Sequence, residues 1–179
     1  MVGTYSLGNQ NACTPCPAGF TCAETDTAEM DACVAGTYSP LGSPTCTNCP
    51  AGSSCSNASV NPVTCLSGYY SSGGAEDCTP CPAGKQCSDP AVSPQNCPAG
   101  YYSAGVTNTC SPCTPGYLCG SQSTETTPAS DICPMGGYCS VSTTFTPCPE
   151  GTMGTITGGT SQSHACQSCS EVRNKQQIL

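Results

Sequence analysis

The sequence predicts a small disulfide-rich fold, an elongated tandem array of cysteine-rich modules with short β strands and turns and little or no helix. Two features of the composition indicate this class. The 179 residues include 20 cysteines, 20 glycines and 17 prolines, but no tryptophan and only 2 phenylalanines. A chain with so little aliphatic and aromatic material cannot bury the usual apolar core, so cross-links must replace packing. The third indication is a repeat in the sequence.

The repeat is marked by the motif Gly-x-Tyr-Ser, which begins at Gly3, Gly36, Gly68 and Gly100 and has a weaker copy at Gly151. Its period of about 32 residues is typical of a linear array in which each module contacts mainly its neighbours. Gly-x-Tyr-Ser favours a short strand, and the Pro-Ala-Gly that follows a cysteine favours a turn. Only the polar tail at 170–179 is a weak candidate for a helix. The predicted modules are four regular repeats at 1–32, 33–64, 65–96 and 97–132, and an irregular fifth repeat with a polar tail at 133–179.

The charge of the chain excludes several partners. Eleven acidic and 3 basic residues give a net charge of -8. Nucleic acids and anionic membrane surfaces bind basic patches, so we expect neither as a partner. No apolar run approaches the roughly 18 residues of a membrane-spanning helix, so no membrane insertion is expected within this chain.

The cysteine content also predicts the compartment. Abundant disulfides indicate an oxidising environment, so the protein is expected to be secreted or displayed at the cell surface. Residues 1–5 do not have the pattern of a signal peptide. We therefore expect the chain to be a mature product or a piece of a longer protein.

One segment carries a family resemblance. Cys97-Pro-Ala-Gly-Tyr-Tyr-Ser103, followed by Cys110-Ser-Pro-Cys113, resembles the ephrin-receptor-like cysteine-rich repeat (GCC2/GCC3 type). Repeats of that kind occur in tandem in large extracellular proteins, many of them from protists. The resemblance covers nearly the whole chain, and it implies an extracellular, elongated, disulfide-linked module without naming an activity. The sequence departs from the simplest form of that repeat by additional cysteines, at Cys22, Cys55, Cys87 and Cys119.

The cysteine spacing admits two schemes of local disulfides. The first has short loops over Pro-x-Gly and long loops over Gly-x-Tyr-Ser, whereas the second joins Cys46 to Cys55 and Cys49 to Cys65. The irregular fifth repeat favours the first scheme, because both long-loop cysteines are missing there while the short loop from Cys133 to Cys139 is kept. The short-loop pairs of the first scheme are Cys16–Cys22, Cys49–Cys55, Cys81–Cys87, Cys113–Cys119 and Cys133–Cys139. Its long-loop pairs are Cys33–Cys46, Cys65–Cys78, Cys97–Cys110 and Cys148–Cys166.

The first scheme leaves Cys13 and Cys169 over. The partner of Cys13 is expected before Met1, and that of Cys169 at position 175, where the sequence has Lys175. Two interpretations stay open. Either these cysteines are bonded between copies stacked head to tail, which builds an open filament, or their partners lie just outside the borders of this sequence.

Other cysteine and acidic chemistry is less favoured. Cys-x-x-Cys-Pro also suggests a zinc knuckle or a redox pair, but each repeat adds further cysteines at regular positions, and the chain has 1 histidine. The acidic cluster Glu24, Asp26, Glu29 and Asp31 lacks the spacing of a calcium loop, so a solvated loop is expected. His164 has no serine or cysteine motif that would make it a base. We expect no catalytic residues, no cofactor and no metal site, and therefore no enzyme.

One modification site stands out. Asn57-Ala58-Ser59 is an acceptor sequence for N-linked glycan, and we expect Asn57 to carry one after passage through a eukaryotic secretory pathway. Serines and threonines beside proline are expected to carry O-linked sugars.

Together these features predict a structural extracellular protein. We expect a glycosylated, disulfide-linked rod that assembles with copies of itself into a fibre, surface coat or appendage, such as a flagellar-hair-like filament; that last comparison is by analogy. The alternative is the stalk or ligand-binding region of a cell-surface receptor or adhesin. Filaments in images of native material would favour the first, and a membrane span beyond residue 179 would favour the second.

Overall fold

The chain folds into a succession of short hairpins. The computed structural model describes residues 3–6, 8, 11–22 and 30–170. Within them are nine separate two-stranded antiparallel sheets and little helix, and the prediction of a small disulfide-rich fold of repeated modules is confirmed. The strand pairs are β1 (Thr4–Tyr5) with β2 (Thr14–Pro15), β3 (Phe20–Thr21) with β4 (Asp31–Ala32), β5 (Thr37–Tyr38) with β6 (Thr47–Asn48), β7 (Ser53–Ser54) with β8 (Val63–Thr64), β9 (Tyr69–Tyr70) with β10 (Thr79–Pro80), β11 (Lys85–Gln86) with β12 (Gln95–Asn96), β13 (Tyr101–Tyr102) with β14 (Ser111–Pro112), β15 (Gly137–Val141) with β16 (Thr144–Pro147), and β17 (Thr152–Gly154) with β18 (Cys166–Ser168).

One further hairpin is reduced to a single bridge. Tyr117 pairs with Ile132 in the antiparallel sense, and one 3₁₀ turn at Ala129–Asp131 precedes this bridge. The longer loop between Cys119 and Cys133 thus keeps the hairpin but only one bridge of its ladder.

Every hairpin begins at a glycine with positive φ, which we call the hairpin glycine. These glycines follow one another at intervals of about 16 residues, half the period of the sequence motif. Their φ values run from 75° at Gly84 to 95° at Gly136, a region that side chains strongly disfavour. The carbonyl of each accepts a hydrogen bond from a cysteine at the end of the second strand, as from Cys49 N to Gly36 O at 2.9 Å. The hairpin glycines are Gly3, Gly19, Gly36, Gly52, Gly68, Gly84, Gly100, Gly116, Gly136 and Gly151.

Consecutive hairpins are joined by backbone hydrogen bonds. The amide of Gly52 donates to the carbonyl of Ser71 at 2.8 Å, and the amide of Ser71 donates to the carbonyl of Pro90 at 2.9 Å. The same contacts recur farther along the chain, where Gly100 N donates to Cys119 O at 2.9 Å and Cys119 N to Ser142 O at 2.8 Å. Each hairpin therefore uses the next one to satisfy backbone groups that its own two short strands leave unpaired.

The contacts divide the chain into two compact units. The first comprises Met1–Cys81 and Cys87–Pro94, and the second comprises Pro82–Gln86 and Gln95–Leu179. The division falls within the third predicted repeat, because the hairpin of β11 and β12 belongs to the second unit, whereas Cys81 and Cys87, on either side of β11, belong to the first.

The α helix α1 lies at Gln162–Ala165, before the polar tail in which a helix was expected. Ser161 caps it, since its side chain accepts a hydrogen bond from the amide of His164 at 3.2 Å. The four residues of this helix are too few to produce a hydrophobic period, so it could not be predicted from the sequence. Cys169 and Ser170 are helical, and the rest of the tail candidate, 171–179, lies outside the described residues.

Candidate functional site

The disulfides are the chemical framework of this fold. The described residues hold nine of them, and their pairs are those of the first scheme; the pairs Cys46–Cys55 and Cys49–Cys65 of the second scheme do not occur. The successive loops follow one another along the chain without overlap. Each bridge therefore closes a loop of its own and leaves the neighbouring loops covalently independent.

The short-loop and long-loop bridges have different surroundings. All ten short-loop cysteines are buried, and apart from Cys65, Cys97 and Ala165 they are the whole buried apolar set of the described residues. The other long-loop cysteines are half-buried. The short-loop bridges therefore form most of the small buried core, to which the long-loop bridges contribute Cys65 and Cys97.

From Gly3 to Gly116, the third position after the hairpin glycine alternates between serine and cysteine. Short-loop cysteines such as Cys55 occupy it in one hairpin, and the serine of Gly-x-Tyr-Ser occupies it in the next. Ser39, Ser71 and Ser103 are at most 3% exposed. The Oγ of Ser71 accepts a hydrogen bond from Gly73 N at 3.2 Å. This shared position was not predicted from the sequence. The only pattern that the cysteine-type and serine-type hairpins have in common is Cys-x-x-Gly, with a small residue three positions after the glycine.

Two cysteines are not part of the framework. Cys13 and Cys169 are both exposed free thiols in the described part of the chain. Cys13 lies immediately before β2, which places it where Cys46 lies before β6. Cys169 follows β18, and its amide donates to the carbonyl of Gly151 at 3.1 Å, as Cys49 N does to Gly36 O. The backbone of Cys13 and of Cys169 is therefore placed like that of a bridged cysteine, but the sulfur of each is a free thiol.

The predicted glycosylation site is in an exposed turn. Asn57 is exposed, and its Oδ1 accepts a hydrogen bond from Ser59 N at 2.9 Å. Asp89 makes the same turn one repeat later, with Oδ1 accepting from Ala91 N at 2.9 Å. The Oγ of Ser59 donates to the carbonyl of Ala18 at 3.0 Å. Asn57 therefore has a structural role in its turn, which is independent of any sugar on Nδ2.

The remaining candidates of the sequence analysis are not brought together. His164 is exposed, and its Nδ1 lies 3.2 Å from Oγ1 of Thr160. Of the acidic cluster only Asp31 is within the described residues, whereas Glu24, Asp26 and Glu29 lie outside them. In the described ranges no three His, Cys, Asp or Glu side chains are grouped as ligands for a metal ion. The same ranges contain no helix with the length and apolar character needed to cross a bilayer.

These features define a class, the small proteins built from disulfide-closed tandem hairpins. No protein-family model matches the chain, and no curated protein sequence matches it either. The resemblance to ephrin-receptor-like repeats therefore stays a prediction from the sequence motifs.

Proposed function

We propose that the protein is an extracellular structural protein, a glycosylated and disulfide-linked rod that polymerises head to tail into a fibre, surface coat or appendage. The observation that supports this most directly is the repetition of one small contact, in which a hairpin glycine and the buried third residue after it hydrogen bond to the next hairpin. A fold of this kind builds length from identical joints, as solenoid repeats do. Its disulfides match an oxidising, extracellular setting.

The two exposed thiols give the polymer its covalent link. Cys169 of one copy and Cys13 of the next form a disulfide, while a low-molecular-weight disulfide such as oxidised glutathione is reduced to two thiols. The two cysteine thiols lose their protons and two electrons in this exchange, and no other group changes. A contact between different surfaces of successive copies does not close on itself, so it propagates into an open filament.

The test is non-reducing electrophoresis of the oxidised protein and of two variants in which one free cysteine is replaced, Cys13→Ser and Cys169→Ser. The unmodified protein is expected to give a ladder of multimers that reductant removes. Each variant alone is expected to remain monomeric, and an equal mixture of the two is expected to stop at a dimer, because only Cys169 of one variant can meet Cys13 of the other.

Three outcomes contradict the proposal. A dimer from either variant alone shows like-to-like linkage, and a monomer of the unmodified protein without free thiols shows a bond within the chain. A monomer whose thiols stay free, and which forms no filaments in negative-stain images, favours the receptor or adhesin ectodomain instead.

A further inference from the structure

Stretches of the chain that lie outside every disulfide loop recur at regular intervals. Between the end of each short loop and the next bridged cysteine lies a segment that no disulfide of the described residues spans. We call these the open segments, and those that are described in full are 56–64, 88–96, 120–132 and 140–147. Except in 140–147, each carries the second strand or bridge residue of a hairpin whose first strand is inside a short loop.

The open segments are held mainly by hydrogen bonds, and the one buried side chain among those described in full is that of Ser142, in 140–147. No residue of 56–64 or of 120–132 is buried. In the first, Ala58 O accepts from Ser39 N at 3.1 Å, and the hairpin pairs β8 with β7 over two residues. In the second, Ser123 O accepts from Ser103 N at 3.0 Å. A segment without buried apolar surface has little cooperative resistance to local opening.

The disulfide-closed loops respond differently to force. A pull on the chain reaches each loop through its two cysteines, whose Cα atoms are 5.6 to 6.5 Å apart. The residues inside the loop then carry no tension, because the covalent bridge is the shorter path. Roughly half of the Cα–Cα steps of the chain are shielded in this way.

We propose that the open segments are extensible elements that peel from their neighbours under tension while the closed loops stay intact. The protein is then a chain of small, permanently closed links joined by lengths of backbone that extend and re-form their hydrogen bonds. The extension is limited by the bridges and is reversible, because the cysteine core of each link is retained. This inference concerns one chain, and it stands whether or not the assembly proposed above forms.

The experiment is single-molecule force spectroscopy of the whole chain, held by peptide tags at both ends. From about 3.6 Å per extended residue, the oxidised chain is expected to reach a contour length of about 380 Å and the reduced chain about 640 Å, a 1.7-fold difference. Steps are expected during extension of the oxidised chain, each from one open segment, and relaxation is expected to restore them. Their upper limits are about 36 Å for 56–64 and 88–96, about 50 Å for 120–132 and about 32 Å for 140–147, because each is reduced by the folded distance between the flanking cysteines.

Two double variants provide matched controls. Removal of a long-loop bridge by Cys97→Ser with Cys110→Ser is expected to lengthen the oxidised chain by about 40 Å, and removal of a short-loop bridge by Cys113→Ser with Cys119→Ser by about 15 Å. An oxidised chain that extends to the reduced length, that does not lengthen until its bridges break, or that fails to recover its steps overturns the proposal. Free extension of a purely monomeric protein separates this result from a failure of assembly.

Discussion

The hydroxyl of Ser39 joins two hairpins through Gly19 and its neighbour. Ser39 Oγ accepts a hydrogen bond from Gly19 N at 3.0 Å and donates one to the carbonyl of Phe20 at 2.9 Å. The carbonyl of Ser39 lies 2.9 Å from the same glycine amide. Because Ser39 is only 1% exposed, water cannot replace these partners without rearrangement.

We expect Ser39→Ala to lower the free energy of unfolding by about 1–2 kcal/mol, because it leaves a shielded carbonyl without its donor. Ser43→Ala in the same hairpin is the control. The Oγ of Ser43 donates to the carbonyl of Thr45 in an exposed position, so its loss is expected to cost less than about 0.5 kcal/mol. Denaturant unfolding with disulfides intact measures both, and equal losses would show that the contact with Gly19 has no special weight.

The short-loop bridges are expected to contribute more to stability than the long-loop bridges, which is the reverse of the order that loop entropy alone predicts. By loop length, a long-loop bridge contributes about 3 kcal/mol and a short-loop bridge about 2 kcal/mol. Cys81 and Cys87 are at most 3% exposed, so Cys81→Ala with Cys87→Ala also removes buried apolar volume. We expect that pair to cost about 4 kcal/mol and Cys33→Ala with Cys46→Ala, which are half-buried, about 3 kcal/mol.

Thermal unfolding of the two double variants, with samples treated with a chelator and with reductant, checks the ranking. The chelator is expected to leave the transition unchanged, and reductant is expected to abolish it. A larger loss for the Cys33 and Cys46 variant would mean that the buried bridges do not act as the core.

Substitutions at two glycines distinguish the cost of backbone strain from the cost of a steric clash. A Cβ on Gly36 would overlap the carbonyl oxygen of Gly74, whereas a Cβ on Gly74 would meet no atom within 4 Å. Both have positive φ, 79° at Gly36 and 63° at Gly74. We expect Gly74→Ala to cost about 1 kcal/mol from strain alone. Gly36→Ala is expected to cost about 3 kcal/mol or more, because two hairpins must also move apart. Similar values for the two in denaturant unfolding would contradict the close packing of these hairpins.

The converse change tests Val106, which has φ of 52° at the position that Gly74 occupies one repeat earlier. A β-branched residue in that region is strained. We expect Val106→Gly to stabilise the protein by up to about 1 kcal/mol, since relief of strain exceeds the added flexibility of the unfolded chain. Val92→Gly is the control, because Val92 is also about half exposed without a positive φ, and it is expected to be destabilising. A loss of stability in Val106→Gly would show that the valine side chain contributes more than its backbone costs.

The turn at Asn57 permits a clean test of its glycan. We expect protein from its native or a eukaryotic source to carry N-linked glycan at this residue, as measured by peptide mass before and after deglycosylation. Asn57→Asp is expected to abolish the glycan and to keep the turn, because Asp89 already makes the same turn with a carboxylate. Asn57→Ala is expected to lose both, at a further cost of about 0.5–1 kcal/mol. Bare Asn57 in protein from the native source would refute the assignment.

Much of this architecture could be predicted from particular residues. The paired absence of both long-loop cysteines near Ser130 favoured the scheme in which Cys133 bonds Cys139, and Gly36-Thr37-Tyr38-Ser39 predicted a short strand, which is β5. Disulfide loops and glycine turns are local, so they leave their record in a short stretch of sequence. The structural equivalence of Ser39 with Cys22 and Cys55 could not be predicted. The three residues occupy corresponding buried positions, but a serine hydroxyl and a disulfide sulfur have no chemical similarity that a sequence motif would show.

Composition and cysteine spacing were sufficient to predict the disulfide-rich class, the lack of an ordinary apolar core and the period of about 32 residues, because they constrain each of these directly. Only the tertiary structure showed that each period contains two hairpins and that the short-loop bridges are buried. It also showed that Gly36 must lack a side chain because Gly74 lies against it. These facts depend on which backbone groups of one hairpin meet those of another. Such contacts between residues far apart in sequence leave no periodic signal, because backbone hydrogen bonds place almost no demand on side-chain identity.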